Sequence, residues 1–519
     1  MLRASYYVPP TELDLLIFEK LVPASHYLRQ VKTLIDFESF RSQLASCYSP
    51  DEGRPADDPV LMLKLGFLAF HYNLSDRRVL AETQVNVAFR FFLDLAVDSE
   101  LPHPSLLSVF RTRLGEAKYQ SVFAGIVEQA RAFGLVKDRL RLKDATHVIA
   151  NIALPATIRL VAQTRKRLLE ATAPFAPERV TQEQARAEAI HTATIDLEEP
   201  ERLLQRVRHL RQILLWVEPL YQGLPELPFS QAGPRQALEE ALHLAHKVLA
   251  DREDPDTPDK LLSLADPDAR LGKHGSYFHG YLLDVAMDAD SQILTALEVL
   301  PANADEAADA TALIQEEEAA QHNDVGALSL DGAGFRGELL REWQDRQGLC
   351  LEVYVPAPAL PEPNGRFGSD AFVVDQASKS LTCPGGQQTS TRVRNRVDTG
   401  WKYQFSRSVC TACPLRLACL GTGSRVTGRS VVKNDYEAEY AAARARVGTP
   451  DYESVRRQHP RIERKLSEFV RRHGGRYARY RGRSPVKIQY LLTGLVINVK
   501  RIVRLLTSAL PCIAGATVR

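Results

Sequence analysis

The chain has almost no net charge: 66 Lys and Arg against 64 Asp and Glu leave +2 over 519 residues. No chain-wide basicity therefore points to nucleic acid. Cysteines are few, seven in all, which does not suggest a disulfide scaffold in a chain of this size. No run reaches eighteen apolar residues, and the longest candidates, around 59–70 and 488–499, carry Lys, Gln, Thr or Asn. That argues against a membrane-spanning helix. The opening MLRASYYVPPTELD lacks the apolar core of a signal peptide. No internal repeat is visible. These absences make a cytoplasmic globular protein the expectation, and its length calls for about two to four domains.

What charge there is lies unevenly. Residues 455–505 hold fifteen Lys and Arg, whereas 284–326 is strongly acidic (DVAMDAD, ADEAADA, IQEEEAA). Concentrated basic charge is the footprint of a binding stripe. The densest part, RRQHPRIERKLSEFVRRHGGRYARYRGR at 456–483, reads as an amphipathic helix running into a basic loop, with Glu463 and Glu468 as its only carboxylates. Taken alone it fits a solvated helix with local ion pairs as well as a phosphate-binding surface.

Residues 1–136 read as helical. Pro59 opens an almost wholly apolar segment, and Ser75 and Asp76 cap the next one. Arg77, Arg78, Arg111 and Arg113 project from these short helices. They suit a helix-turn-helix-like module on DNA, and equally a plain bundle with solvated arginines. LRLKDATHVI at 140–149 changes to strand-like alternation, interrupted by Asp144.

Residues 155–262 return to helix, with Leu203, Val207, Leu210, Leu214 and Val217 spaced by four and three, then Leu238, Leu242, Ala245 and Leu249. This reads as an inserted helical hairpin or small bundle. GYLLDVAMD, a DADSQ turn and ILTALEVLP form a hairpin. An acidic helix follows at 305–320, then a short strand ending at Asp331, a helix and a further strand. That order implies a mixed α/β sheet. Residues 357–450, rich in Pro, Gly, Ser and Thr, read as irregular. VKIQYLLTGLVINVKRIVRLL reads as an amphipathic helix and is expected to pack on the sheet.

Asp144 sits in a strand and Asp331 at a strand's end beside Gly332 and Gly334, a frequent place for chemistry in α/β proteins. Each alone could equally be a cap or turn former. With Glu463 they make three carboxylates on different elements. That is the donor set a pair of Mg²⁺ ions takes when phosphate oxygens and water complete the coordination. Arg457, Arg461, Arg464, Lys465 and Arg472 would then face the phosphodiester backbone.

These stretches resemble bacterial insertion-sequence transposases of the DDE type, over nearly the whole chain. GRPADDPVLMLKLGFLAFHYNLSDRRVLAE, FRFFLDL and HPSLLSVFRTRL are similar to the N-terminal domain of that group. KDATHVIAN looks like the first-Asp motif, LSLDGAGF the second, and HPRIERKLSEFVRRHGGRYARYRG the glutamate motif. The resemblance implies a ribonuclease-H-like mixed sheet at 137–519, interrupted by a helical insertion at 155–262 and a Cys-rich insertion at 357–450. A helical DNA-binding domain, 1–136, precedes it. It further implies a catalytic triad of Asp144, Asp331 and Glu463 holding Mg²⁺ or Mn²⁺. Glu468 lies about 140° around the helix from Glu463 and is set aside. The implied partners are double-stranded DNA, both the element's terminal inverted repeats and the target, with a homo-oligomer on DNA at the nucleoid. A metal-dependent nuclease of the same fold and a catalytically decayed DNA-binding protein are the alternatives. The chain departs from the family where a Tyr and an Arg often precede the glutamate by seven and four residues and a Lys follows by seven. Here those places hold Arg456, His459 and Val470.

Cys383, Cys410, Cys413 and Cys419 offer four thiolates, and Cys410 and Cys413 form the Cys-x2-Cys half of a Zn²⁺ site. The five-residue gap to Cys419 is not a standard second half, so reduced structural thiols or a redox-labile cluster remain readings too. Cys47, Cys350 and Cys512 are scattered thiols. His147, His274 and His279 flank the metal-site segments and read as packing or DNA-contact residues.

Overall fold

The computed structural model describes residues 9–49, 51–225, 233–358, 366–375, 377–395, 399–421 and 428–508. Cys512 lies outside them. The chain divides into two compact units: residues 1–137, 144–323 and 461–519 form one, and 138–143 with 324–460 the other.

The first unit begins with seven helices: α1 (Glu12–Leu21), α2 (Tyr27–Leu34), α3 (Arg41–Ala45), α4 (Pro59–His71), α5 (Asp76–Val85), α6 (Val87–Phe92) and α7 (Ser105–Ala132). Side-chain caps start several of them. The Asp58 carboxylate accepts from the Val60 N–H ahead of α4, and the Ser75 hydroxyl from the Arg78 N–H in α5. Gly115 breaks α7 with a φ of +65°, a conformation that carries no steric cost only for glycine. Strand β1 (Arg141–Ile149) follows and is shared between the units, the division falling between Lys143 and Asp144.

Four inserted helices, α8 (Thr157–Thr172), α9 (Pro177–Ala193), α10 (Glu199–Gln222) and α11 (Gly233–Glu253), enclose their own apolar core. Val207, Leu210, Leu214, Val217, Leu238, Leu242, Ala245 and Leu249 are buried in it, as their spacing predicts.

Strand β3 (Ser276–Asp288) pairs antiparallel with β2 (Arg270–His274) and β4 (Leu294–Pro301) and lies next to β1. β3 approaches the end of β1 so closely that a side-chain carbon at Gly280 would fall 2.0 Å from the Val148 carbonyl oxygen. Helix α12 (Ala310–Gln321) follows.

The second unit holds the parallel part of the sheet. β5 (Ala327–Ser329) pairs with the start of β1, Arg141 opposite Leu328, and with β6 (Glu352–Tyr354), with α13 (Gly337–Gln344) between β5 and β6. An antiparallel hairpin set and a parallel set joined by a helix are the pairings of a ribonuclease-H-like mixed sheet.

The segment expected to be irregular is not. It contains two three-stranded antiparallel sheets: β7 (Val373–Asp375), β8 (Ser380–Thr382) and β9 (Gln388–Thr389), then β10 (Arg392–Asn395), β11 (Gly400–Gln404) and β12 (Ser430–Asn434). Helices α14 (Arg407–Thr411), α15 (Arg416–Leu420) and α16 (Glu437–Arg446) accompany them. Strands of two to five residues are too short for alternation to show in sequence.

The expected basic helix is likewise two, α17 (Pro450–Gln458) and α18 (Pro460–His473). They are divided at Pro460, whose ring cannot continue the helix but suits its first turn.

Helix α19 (Arg483–Ser508) is the centre of the first unit. Every residue from Val486 to Val499 is buried, so it is a core helix rather than an amphipathic one. It packs on α7, α4 and β4. Its buried Lys487 donates to Glu298 at 2.5 Å and lies 3.0 Å from Glu116. Burial opposes the ammonium charge, but the bonds to Glu298 and Glu116 outweigh it and raise the pKa above the ordinary lysine value. Lys487→Met leaves Glu298, Glu116 and Glu316 around the site without their shared cation. We expect it to cost about 3–5 kcal/mol, read as a fall in the denaturation midpoint at unchanged slope.

Candidate functional site

Asp144 is the fourth residue of β1, half-buried, and its carboxylate accepts from the Ala145 N–H at 2.8 Å. The far end of β1 is tied to the chain leaving α18. The Ile149 N–H donates to the Arg476 carbonyl and the Ala478 N–H to the Ile149 carbonyl, both at 2.9 Å. Arg476 itself bonds the His147 carbonyl. His147 packs against the rings of Phe278 and His274.

Glu463 stands in the first turn of α18, exposed between Arg461 and Arg464. Among the described residues it makes no hydrogen bond or ion pair. Glu468 differs: it is half-buried and accepts from Lys465 at 3.1 Å. The helix turns Lys465 inward with Ile462, Leu466 and Phe469. Burial lowers the Lys465 pKa, and the Glu468 carboxylate partly restores it. Lys465 is therefore engaged inside the unit. Arg461 spends a guanidinium N–H on the Ala289 carbonyl at 2.7 Å, while Arg464 and Arg472 are exposed.

In the N-terminal helices Arg77 and Arg78 are exposed. Arg111 makes a two-point pair with Asp76 at 3.0 and 2.5 Å and stacks on Tyr480. Arg113 is exposed, with its guanidinium over the Tyr48 ring.

In the second unit Asp331 follows β5 by two residues. It caps a short 3₁₀ turn, accepting from the Ala333 N–H at 3.0 Å, and is exposed. Next to it is a polar cluster, with Ser329 and His459 buried, that was not among the expected site residues. Arg456 donates to the Ser329 hydroxyl at 3.1 Å and to the Leu330 carbonyl at 2.6 Å. His459 Nδ1 lies 3.2 Å from the same hydroxyl. Burial first, then the Arg456 charge, pushes the His459 pKa down to about 4, although Asp331 pulls it the other way. The only signal was that Arg456 and His459 occupy the two places where the resembled family often carries Tyr and Arg. Arg457 is exposed on α17.

Asp144 and Glu463 thus belong to the first unit and Asp331 to the second. Among the described residues no three or more His, Cys, Asp or Glu side chains stand in metal-holding geometry.

Cys383, Cys410, Cys413 and Cys419 are all free thiols and line one pocket with Phe372 and Phe405. The Arg429 N–H donates to Cys410 Sγ at 3.3 Å. The neighbouring core is small, with Phe372, Leu381, Tyr403, Phe405, Cys410 and Val431 buried. Burial raises the Cys419 thiol pKa, and the nearby Arg429 opposes this. Among the described residues no helix is long and apolar enough to cross a membrane.

The sheet is ribonuclease-H-like, a frame that hosts several chemistries. Family comparison narrows this. Residues 16–113 match the family described as a transposase domain (DUF772), and residues 382–503 match a transposase DDE domain. Together the two matches support an insertion-sequence DDE transposase, a protein of DNA transposition. Glu463 and the four cysteines fall inside the matched DDE stretch, whereas Asp144 and Asp331 lie outside both matches. No curated protein and no solved structure matches the chain.

Two histidines of the first unit, His473 buried and His71 half-buried, set a pH dependence. Burial, then the Lys500 charge, lowers His71 from 6.5 to about 3 and His473 from 6.5 to about 4. His473 Nε2 lies 3.2 Å from the Lys500 ammonium. Both rings stay neutral in the folded protein where the unfolded chain already binds protons. Stability is therefore full above pH 6.5 and lost as pH falls towards about 4, by on the order of several kcal/mol. Thermal melts across that range should show a falling midpoint, and His473→Gln should flatten the fall.

Proposed function

We propose that the chain cuts the ends of its element and joins the freed 3′-OH to target DNA, with Asp144, Asp331 and Glu463 as the acting carboxylates and Mg²⁺ or Mn²⁺ as cofactor. The observation that most supports this is Glu463. A carboxylate flanked by two arginines, exposed and without a pair among the described residues, is suited to a cation that arrives with the substrate. The donor chemistry fits: all three groups are hard oxygen donors, and Asp331 and Glu463 are open to solvent. When bound, the divalent cation supplies the charge that steadies an in-line displacement at phosphorus.

In this reading residues 1–136 bind the terminal inverted repeats and 137–519 carry the chemistry. The exposed Arg77, Arg78, Arg113, Arg457, Arg464 and Arg472 hold phosphodiester backbone by charge. Arg111, Arg461 and Lys465, bonded internally, brace the surfaces that present them. Cleavage and joining are both in-line phosphoryl displacements, so one carboxylate set serves both. Two ends must be held at once, which calls for at least two protomers.

The test is a plasmid carrying both element ends, incubated with protein and Mg²⁺. Wild type should cleave at the ends and join a pre-cut 3′-OH end to a second plasmid. Asp331→Asn and Glu463→Gln should drop both to background while still binding the ends. Unchanged cleavage in Asp331→Asn removes the triad assignment. Cleavage without joining makes the protein a nuclease, and binding without cleavage a decayed DNA-binding protein.

For the thiols the proposal is a structural Zn²⁺ that draws Cys383, Cys410, Cys413 and Cys419 together within the pocket they share. Four thiols are the right donors, and a core of six buried residues gains most from such a staple. Elemental analysis should find about one Zn per chain, lost in Cys410→Ser. A metal-free, fully folded wild type would remove this assignment.

A further inference from the structure

The cluster beside Asp331 has a directional logic. A guanidinium can only donate. The Ser329 hydroxyl therefore accepts from Arg456 and has its own proton left to give. The other partner within reach is His459 Nδ1, at 3.2 Å. With that nitrogen accepting the hydroxyl proton, His459 is neutral and carries its own proton on Nε2. The three groups form a one-way chain, Arg456 to Ser329 to His459, with Ser329 and His459 buried.

The same guanidinium nitrogen also bonds the Leu330 carbonyl at 2.6 Å, and the Leu330 N–H donates to the Tyr354 carbonyl of β6 at 3.2 Å. Both polar groups of Leu330 are thereby held. The Leu330 carbonyl belongs to the peptide that leads into Asp331, so its orientation sets the direction in which Asp331 leaves the strand. β5 itself has only three residues, too few to hold that direction by ladder bonds alone. At the other end of the residue, one Asp331 carboxylate oxygen is pinned by the Ala333 N–H at 3.0 Å.

We propose that Arg456 is a positioning residue for Asp331: through the Ser329 hydroxyl and the Leu330 carbonyl it aims the carboxylate for a divalent cation, and His459 fixes the hydroxyl that Arg456 grips. This rests on Asp331 being a metal-holding residue. Partners of this kind, bonded to the ligand's own support, typically set metal affinity by about 10–100-fold.

Direct Mn²⁺ binding to the full chain, read by electron paramagnetic resonance of the free ion, tests it without recourse to activity. Ser329→Ala removes the gripped hydroxyl with little change of volume. Arg456→Lys keeps the charge but replaces the planar guanidinium, whose one terminal nitrogen meets both acceptors, with a freely rotating ammonium on a shorter stem. Both should weaken Mn²⁺ binding about 10–100-fold, and Ser329→Thr, which keeps the hydroxyl, should restore it. In end cleavage the half-saturating Mg²⁺ concentration should rise by a similar factor, with the rate at saturating Mg²⁺ largely retained. Wild-type Mn²⁺ affinity in both variants, with melting points confirming their fold, overturns the proposal. So does a loss of DNA binding at unchanged metal affinity, which would make Arg456 a phosphate contact. Asp331→Asn in the same assay separates the levels. If it alone loses Mn²⁺, only the positioning role fails; if it too binds as wild type, the carboxylate assignment fails.

Discussion

The first unit depends on keeping α19 dry. A helix with fourteen consecutive buried residues, Val486 to Val499, must satisfy every polar group it carries without water. Several of them reach neighbouring elements. Lys487 reaches Glu298 on β4 and Glu116 on α7. Asn498 accepts from the Leu294 N–H and donates to the Leu294 carbonyl, both at 2.8 Å, taking the place of a strand partner at the start of β4. Gln489 does the same for the loop after α18, accepting from the Arg479 N–H at 2.7 Å and donating to the Tyr477 carbonyl at 3.1 Å. That loop in turn pairs with Ile149 at the end of β1. The strand bearing Asp144 and the helix bearing Glu463 are thus both referred to one buried helix.

The second unit solves a related problem on a smaller scale. Its strand β5 is three residues long, and a short strand cannot by itself hold the direction of the residue that follows it. The Ser329 hydroxyl, buried between Arg456 and His459, supplies the missing restraint from α17. In both units a side chain completes what backbone pairing leaves unfinished, and in both the completed element carries one of the proposed acting carboxylates.

Much of the architecture was readable because it rests on periodicity. The inserted bundle followed from the three-and-four spacing of Leu203 to Val217 and Leu238 to Leu249, and the β3–β4 hairpin from two apolar runs around a turn. The angle between Glu463 and Glu468 says that the two cannot share one site. In the structure Glu468 is bonded to an inward Lys465 and Glu463 is exposed. Three features were not readable. Cation crowding in 456–483 does not say which cations point inward, and Lys465 and Arg461 do. Proline at 460 was read as part of one helix where it divides two. Strands as short as β7 to β12 leave no alternation to detect.

By itself the sequence determined the main elements outside 357–450, the place of Asp144 on a strand, of Asp331 just past one and of Glu463 on a helix, and the likeness to DDE transposases. These are local properties, carried by spacing and by short motifs. Which charges are spent on the fold and which remain for a partner was decided only by tertiary structure. A salt bridge such as Arg111 with Asp76, or a hydroxyl held between Arg456 and His459, joins residues far apart in the chain. Its energy depends on burial and distance, and neither quantity is written in the order of residues.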